Sequence, residues 1–229
     1  MTDFNFPSRW PPQNPDRLQL YSLNTPNGQK VSLCLEEMGL AYDAHLVHIG
    51  KGDQHDPEYL LINPNGKIPS LVDPNGPDGK PIALMESIVI LIYLAELSGT
   101  LLPKETRQRF EHLQWLTFQA AHIGPMFGQF GHFYVYAKDK TSDSYSLDRY
   151  TQETRRLLQV LEDRLQHREF IMGDYSIVDI AIMPWVACLS GYYQASEQLG
   201  MGDFERVLTW QENICSRKAW QTGKDVCAP

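Results

Sequence analysis

The chain has 229 residues, 42% hydrophobic and 21% charged, with a net charge of −8 at neutral pH. That length is enough to bury a core and to build one large domain or two small ones. The acidic balance excludes general binding to nucleic acid or to an anionic membrane, both of which need a basic face, and no run approaches the ~20 apolar residues of a spanning helix.

Residues 1–16 are rich in Pro and aromatics and show no periodicity. Two outcomes stand open for them: an unstructured tail, or a segment laid across the body of the protein. They lack a basic start followed by an apolar run, so no secretory leader is expected and a cytoplasmic location follows by default.

Residues 18–23, L-Q-L-Y-S-L, alternate like a strand. Val31, Cys34, Leu35 and Met38 then follow helical spacing, and Gly39 ends that helix. Residues 42–49 read as a second strand, which makes a βαβ unit with parallel pairing. The run G-K-G-D-Q-H-D-P-E-Y reads as a polar loop. Two short strands follow at 70–73 and 81–84, separated by the turn chemistry of P-N-G-P-D-G-K. Met85-Glu86-Ser87 opens a helix whose face is Ile88, Leu91, Ile92 and Ala95. The order β-α-β, then β-β-α, predicts one small α/β domain over residues 17–98, after an N-terminal extension over 1–16.

Residues 98–105 read as a linker, and everything from 105 to 229 as helix. A first helix is expected over 106–121, with Gly124-Pro125 kinking or breaking it. Residues 148–167 carry an apolar stripe, Ser176 and Asp179 resemble a capping box, and 204–216 is the last clear helix. The four cysteines, Cys34, Cys188, Cys215 and Cys227, are scattered without a C-x-x-C. Most are expected to be small buried hydrophobes rather than disulfides or metal ligands, with Cys227 set apart as an exposed candidate. The histidines show no metal-ligand spacing either. Any thiol chemistry therefore uses a thiol that is not the protein's own.

The stretch L-N-T-P-N-G-Q-K-V, at the junction of the first strand and helix, leaves two readings open from its residues alone. Thr25 is a natural N-cap with Pro26 at the first helical position. The same helix end presents unpaired N–H groups and a partial positive charge to an anion.

A small α/β domain followed by an all-helical one resembles a cytosolic glutathione transferase, with a thioredoxin-like first domain. N-P-N-G-K-I-P is similar to the segment that carries the family's cis-Pro, and M-E-S to its acidic/amide-Ser pair after the last strand. T-P-N-G-Q-K-V, G-P-M-F-G-Q-F-G-H-F and L-D-R-Y together resemble the bacterial Nu class. The resemblance implies a homodimeric enzyme that reduces small disulfides with glutathione, reduced or oxidised, at one or two molecules per site. Tyr21 and Ser22 lie within the first strand, so the Tyr, Ser or Cys that meets sulfur in other classes is not evident.

The same resemblance implies the site. Thr25 and Asn27 meet the glutathione sulfur and stabilise its thiolate. Lowering a thiol pKa from about 8.5 by ~2 units takes about 2.7 kcal/mol. The helix end supplies up to ~2 kcal/mol of that, and charge-assisted hydrogen bonds supply the rest. Ile68, before a cis Pro69, pairs its backbone with the tripeptide. Glu86 and Ser87 read the ammonium and carboxylate of the γ-glutamyl end. Gln54, Lys67 and Arg149 are further glutathione contacts, Lys67 to the glycine carboxylate and Arg149 from across the dimer. Phe127, Phe130, His132, Phe133, Tyr134 and Tyr136, placed after the expected helix break, line a second-substrate pocket. Two rivals remain: glutathione conjugation or peroxide reduction, and a non-catalytic glutathione-binding module such as the yeast nitrogen-regulator prion protein. The short Pro-rich segment before the first strand, with no Asn/Gln tract, favours an enzyme.

Overall fold

A computed structural model describes residues 5–140, 142 and 144–229. The chain divides into two units, residues up to Thr100 together with Lys218–Pro229, and Leu101–Arg217.

The first unit is built on a four-stranded sheet. β1 (Leu18–Ser22) leads through α1 (Pro26–Met38) to β2 (Tyr42–Leu46), and β1 and β2 pair in parallel. α2 (Pro57–Ile62) precedes β3 (Ser70–Asp73), β4 (Ile82–Leu84) and α3 (Ser87–Ser98). The sheet order is β2-β1-β3-β4, with β3 antiparallel to β1 and β4 antiparallel to β3. This is the thioredoxin-like arrangement that the resemblance implies. Every residue of β1 is buried, as expected of a central strand. α1 ends at Gly39, whose φ of 63° is the left-handed conformation that needs no Cβ.

Three expectations change here. β2 stops at Leu46 rather than 49, because the chain tightens into a 3₁₀ turn at Ile49–Lys51. The polar loop contains α2, capped by Asp56, whose carboxylate accepts from Glu58 N (2.9 Å) and Tyr59 N (3.4 Å). The last helix, α10 (Lys218–Gly223), lies with the first unit and not with the helical one. Ser32 Oγ donates to Gly223 O (2.7 Å) and Gln29 Nε2 to Lys224 O (3.0 Å). Gly223 permits this approach, since a Cβ there would press on the backbone of Ser32 and Leu33.

Of the two outcomes for the N-terminal segment, its described part is laid across the first unit. Trp10 is buried, donates Nε1–H to Leu46 O (2.8 Å) and packs edge-on against Tyr21 and Tyr59. Arg9 pairs with Asp53, and Asn14 N donates to Asp43 Oδ2 (2.6 Å). Trp10→Ala is expected to cost about 3 kcal/mol, the usual loss for a buried Trp. Urea unfolding checks it. A loss under ~1 kcal/mol would mean that the segment only rests on the domain.

The second unit is helical. α4 (Thr106–Phe118) runs through a widened π turn (Gln119–Ile123) into α5 (Gly124–Gly131) and a second π turn (His132–Tyr136). The junction residues keep right-handed helical angles, so of the two expected outcomes, a kink or a break, the break at Gly124-Pro125 does not occur. Pro125 lacks the N–H that an unbroken α-turn requires, and the wider turn just before it accommodates the missing donor. α6 (Tyr145–Arg164), α7 (Ile177–Ser190), α8 (Ser196–Leu199) and α9 (Glu205–Cys215) complete the unit. The capping box of α7 is present as read, with Asp179 in place of Glu. No described helix is long and apolar enough to cross a membrane.

Candidate active site

Three segments of the first unit reach one edge of its sheet, and strand register is the cause. Tyr21 pairs with Ser70, so the chain leaving β1 for α1 lies beside Pro69. Leu71 pairs with Leu84, so the chain leaving β4 for α3 departs from the same edge. The expected contacts at Thr25–Asn27, Ile68–Pro69 and Glu86–Ser87 are thereby brought to one place.

Thr25 caps α1 from an extended conformation (φ −79°, ψ 165°), its Oγ1 accepting from Gly28 N at 3.4 Å. A hydroxyl that accepts one bond still has its own proton to donate. Pro26 is the first helical residue and no acidic side chain occupies the first turn, so the helix's own first turn leaves its positive end uncompensated. Gly28 explains the Asn-Gly pair: a Cβ there would overlap the Leu23 carbonyl oxygen and touch Ser22 Oγ. The glycine lets the helix start against the end of β1.

The Ile68-Pro69 peptide is cis, as the resemblance implies. Ile68 lies just outside β3, and among the described residues its backbone N–H and C=O have no partner. The loop before it is braced. Tyr59 Oη donates to Lys67 O (2.6 Å) and Asn63 Nδ2 donates to the same oxygen (2.8 Å), and both side chains also bond Ser70 Oγ. Lys67 itself is exposed. Gln54, in the 3₁₀ turn Asp53–His55, meets His55 through its Nε2 (3.2 Å), while its Oε1 is buried with no hydrogen-bond partner among the described residues.

Glu86 is the N-cap of α3, yet its carboxylate makes no capping bond. Its φ of 67° costs a non-glycine residue on the order of 1–2 kcal/mol. That conformation turns β4 straight into α3 and leaves the carboxylate exposed. Ser87 opens α3 and accepts from Lys30 Nζ at 3.2 Å. Lys30 stands on the second turn of α1 and is 2% exposed. Burial lowers its pKa to about 7, against an upward pull from Glu86.

In the helical unit, Arg149 is exposed on α6, and its charge helps hold Glu153 below the usual carboxylate range, after the larger effect of Arg156. The aromatic group separates. Phe127 and Phe130 are fully buried and are core residues, not pocket lining. The helix continues through Pro125, so their three-residue spacing sets both on its inward stripe. His132 and Tyr136 are exposed, Phe133 stacks on Tyr150 (5.5 Å) and Tyr134 on Phe130 (5.2 Å).

Three of the chain's thiols are poorly disposed to ionise. Burial pushes Cys34 far above the ordinary value, and Cys188 and Cys227 up to about 11. Tyr21 lies fully buried inside β1, and burial pushes its phenol far up as well. Among the described residues no group of three His, Cys, Asp or Glu side chains could hold a metal ion.

A family model for the glutathione S-transferase N-terminal domain matches residues 25–97. The chain is 43% identical over 218 residues to the disulfide-bond oxidoreductase YghU of Escherichia coli (strain K12), covering 91% of this chain and 74% of that protein. The chain belongs to the glutathione S-transferase family. A second relative, the disulfide-bond oxidoreductase YfcG of the same organism, is 44% identical over 88% of this chain and 92% of its own. A glutathione transferase family member from Pseudomonas fluorescens pf-5, solved with two glutathione bound, is 47% identical and superposes with a TM-score of 0.96 over 98% of this chain and all of that one.

Within this glutathione S-transferase, sequence reasoning passed over Lys30, Tyr59 and Asn63. Asn63 carried a signal in N-P-N-G, and Asp56-Pro57 marked the helix that presents Tyr59. Lys30 carried none, because a lysine before an apolar stripe reads as solvated.

Proposed function

We propose that this chain is a glutathione-dependent disulfide-bond oxidoreductase of the Nu type, acting on small disulfides. The observation that carries the reading is the first turn of α1: a capping hydroxyl with its proton left to give, at a helix end whose first turn holds no acid. Bound glutathione supplies the reacting thiols, two tripeptides giving glutathione disulfide while the substrate disulfide leaves as two thiols. Thr25 donates to the sulfur and, with the amides around Asn27, holds it as thiolate at neutral pH. Ile68 offers one N–H and one C=O to the tripeptide backbone, in the manner of an added strand. Ser87 and the α3 end receive the γ-glutamyl carboxylate, the exposed Glu86 receives its ammonium, and Lys67 the glycine carboxylate. Gln54 brings a buried acceptor in need of a donor. These groups fit an extended tripeptide with two carboxylates and an ammonium, and the names of both E. coli relatives support the reaction.

His132, Phe133, Tyr134 and Tyr136 remain as second-substrate contacts. Val89 and Leu97 are half exposed, eight residues apart on one face of α3. That apolar face supports a homodimer, in which Arg149 serves the partner's ligand.

Initial rates with 2-hydroxyethyl disulfide, cumene hydroperoxide and 1-chloro-2,4-dinitrobenzene test the reaction. The disulfide is expected to turn over fastest, at least tenfold ahead of the others. Preference for the chloronitrobenzene would make this a conjugating transferase. Abolition of disulfide turnover in a folded Cys34→Ala variant would move the thiol to the protein.

A further inference from the structure

Lys30 is a buried cation that the proposed chemistry does not use. It lies 57 positions before Ser87 in sequence, yet its Nζ is 3.2 Å from Ser87 Oγ. It is 2% exposed, and lysine is almost never so buried without a compensating partner. Elements packed on α1 bring few charges toward it. α3 carries Glu86 and Glu96, the region of α10 carries Lys218, Lys224 and Asp225, and α1 itself carries Glu36 and Glu37 near its far end. The Glu86 charge acts on Lys30, favouring its ammonium against the larger effect of burial.

The chemistry of the pair is directional. An ammonium has three donors and no acceptor. Ser87 Oγ must therefore accept from Lys30, and its own proton must point elsewhere. A neutral amine carries a lone pair that can take the Ser87 proton, and the oxygen would then offer only lone pairs to an incoming carboxylate. The protonation of Lys30 thus decides whether Ser87 donates or repels.

We propose that Lys30 is a positioning residue for the γ-glutamyl end of the ligand: as an ammonium it fixes Ser87 Oγ as its acceptor and turns the hydroxyl proton toward the ligand carboxylate, so that binding draws a proton onto Lys30. This rests on the reading of Ser87 as a carboxylate contact. It makes affinity depend on pH near neutrality through a group that never touches sulfur. It also predicts that folding and binding separate. The folded chain holds Lys30 near pKa 7 and the unfolded chain near its ordinary value. Between those values the folded state binds fewer protons, so this group's contribution to stability rises with pH and is least below 7. Removing the charge should therefore not harm folding at neutral pH, while it harms binding.

The probe is S-methylglutathione, which has no thiol to ionise. Calorimetry from pH 6.5 to 8.5 is expected to show the wild-type Kd weakening by up to about tenfold, as a ligand that binds the protonated lysine about tenfold more tightly requires. Titrations at pH 7.5 in two buffers of different ionisation enthalpy should report uptake of roughly half a proton per ligand. Lys30→Met should bind about tenfold more weakly at pH 6.5, with no pH slope and no proton uptake, at undiminished stability to urea. Lys30→Arg, charged throughout, should lose the slope as well. An unchanged slope and uptake in Lys30→Met would overturn the inference and leave the Ser87 site standing. No binding by the wild-type chain would overturn both. Should neither variant fold, proton uptake by the wild-type chain and a ligand-raised Lys30 pKa, followed through its ¹³Cε resonance, decide the matter: absence of either refutes it.

Discussion

Thr25→Ala is expected to lower kcat/KM for glutathione-dependent disulfide reduction on the order of 10- to 100-fold, while costing less than about 1 kcal/mol of stability. A hydrogen bond to a charged group contributes roughly 1.5–3 kcal/mol, which sets the rate effect. An N-cap is worth about 1 kcal/mol, and this one accepts at a long 3.4 Å, so its structural share lies at the low end. The two quantities separate because one hydroxyl makes two kinds of bond. Its lone pair serves Gly28 N, and its proton serves the sulfur. Thr25→Ser preserves both and should stay within a few-fold of wild type. The bound thiol should titrate about one pH unit or more higher in Thr25→Ala, since a unit corresponds to about 1.4 kcal/mol between thiol and thiolate. Steady-state rates, thiolate absorbance against pH and urea unfolding check the three statements. Rate and stability falling in proportion, with the thiol pKa unmoved, would reduce Thr25 to a cap.

The parts of this fold that were legible in the sequence are those set by punctuation. Thr25-Pro26 and Gly39 bound α1, and Ser176 with Asp179 starts α7, because each residue type answers a local backbone need. Asp56-Pro57 is the same kind of signal, but the polar residues around it masked the short α2. Pro125 was misleading for a physical reason. A proline forbids an ordinary α-turn but not a wider one, and no local residue states which the chain adopts. That choice fixed the helical phase beyond it, and with it the burial of Phe127 and Phe130. The parallel pairing of β1 with β2 was legible in the βαβ spacing, but the place of β3 beside β1 was not, since periodicity finds strands without ordering them. The Lys30–Ser87 contact was beyond reach for the same reason: it exists only because register brings the starts of α1 and α3 to one edge of the sheet.

Asp179→Ala is expected to be the most destabilising single change in the helical unit, costing about 4 kcal/mol. The Asp179 side chain has no exposed surface. Its Oδ1 accepts from Ile171 N (2.9 Å) and Trp210 Nε1 (2.9 Å), and its Oδ2 from Ser176 N (3.0 Å) and Ser176 Oγ (3.2 Å). The carboxylate thus ties the start of α7, the segment before it and α9 at one point. Burial raises its pKa and these donors pull the other way, so it is held in place at a real desolvation cost. Alanine removes that cost. It also leaves three N–H groups, fixed by backbone or indole, buried without an acceptor, at roughly 1–3 kcal/mol each. The Ser176 hydroxyl can rotate to another partner and adds little. Ser176→Ala is the control: it loses the cap on Val178 N (3.2 Å), worth about 1 kcal/mol. The double variant should fall short of the sum of the two, because the residues share bonds. Urea unfolding followed by far-ultraviolet circular dichroism measures the losses. A loss in Asp179→Ala no larger than in Ser176→Ala would mean that burying the carboxylate costs as much as its four donors return.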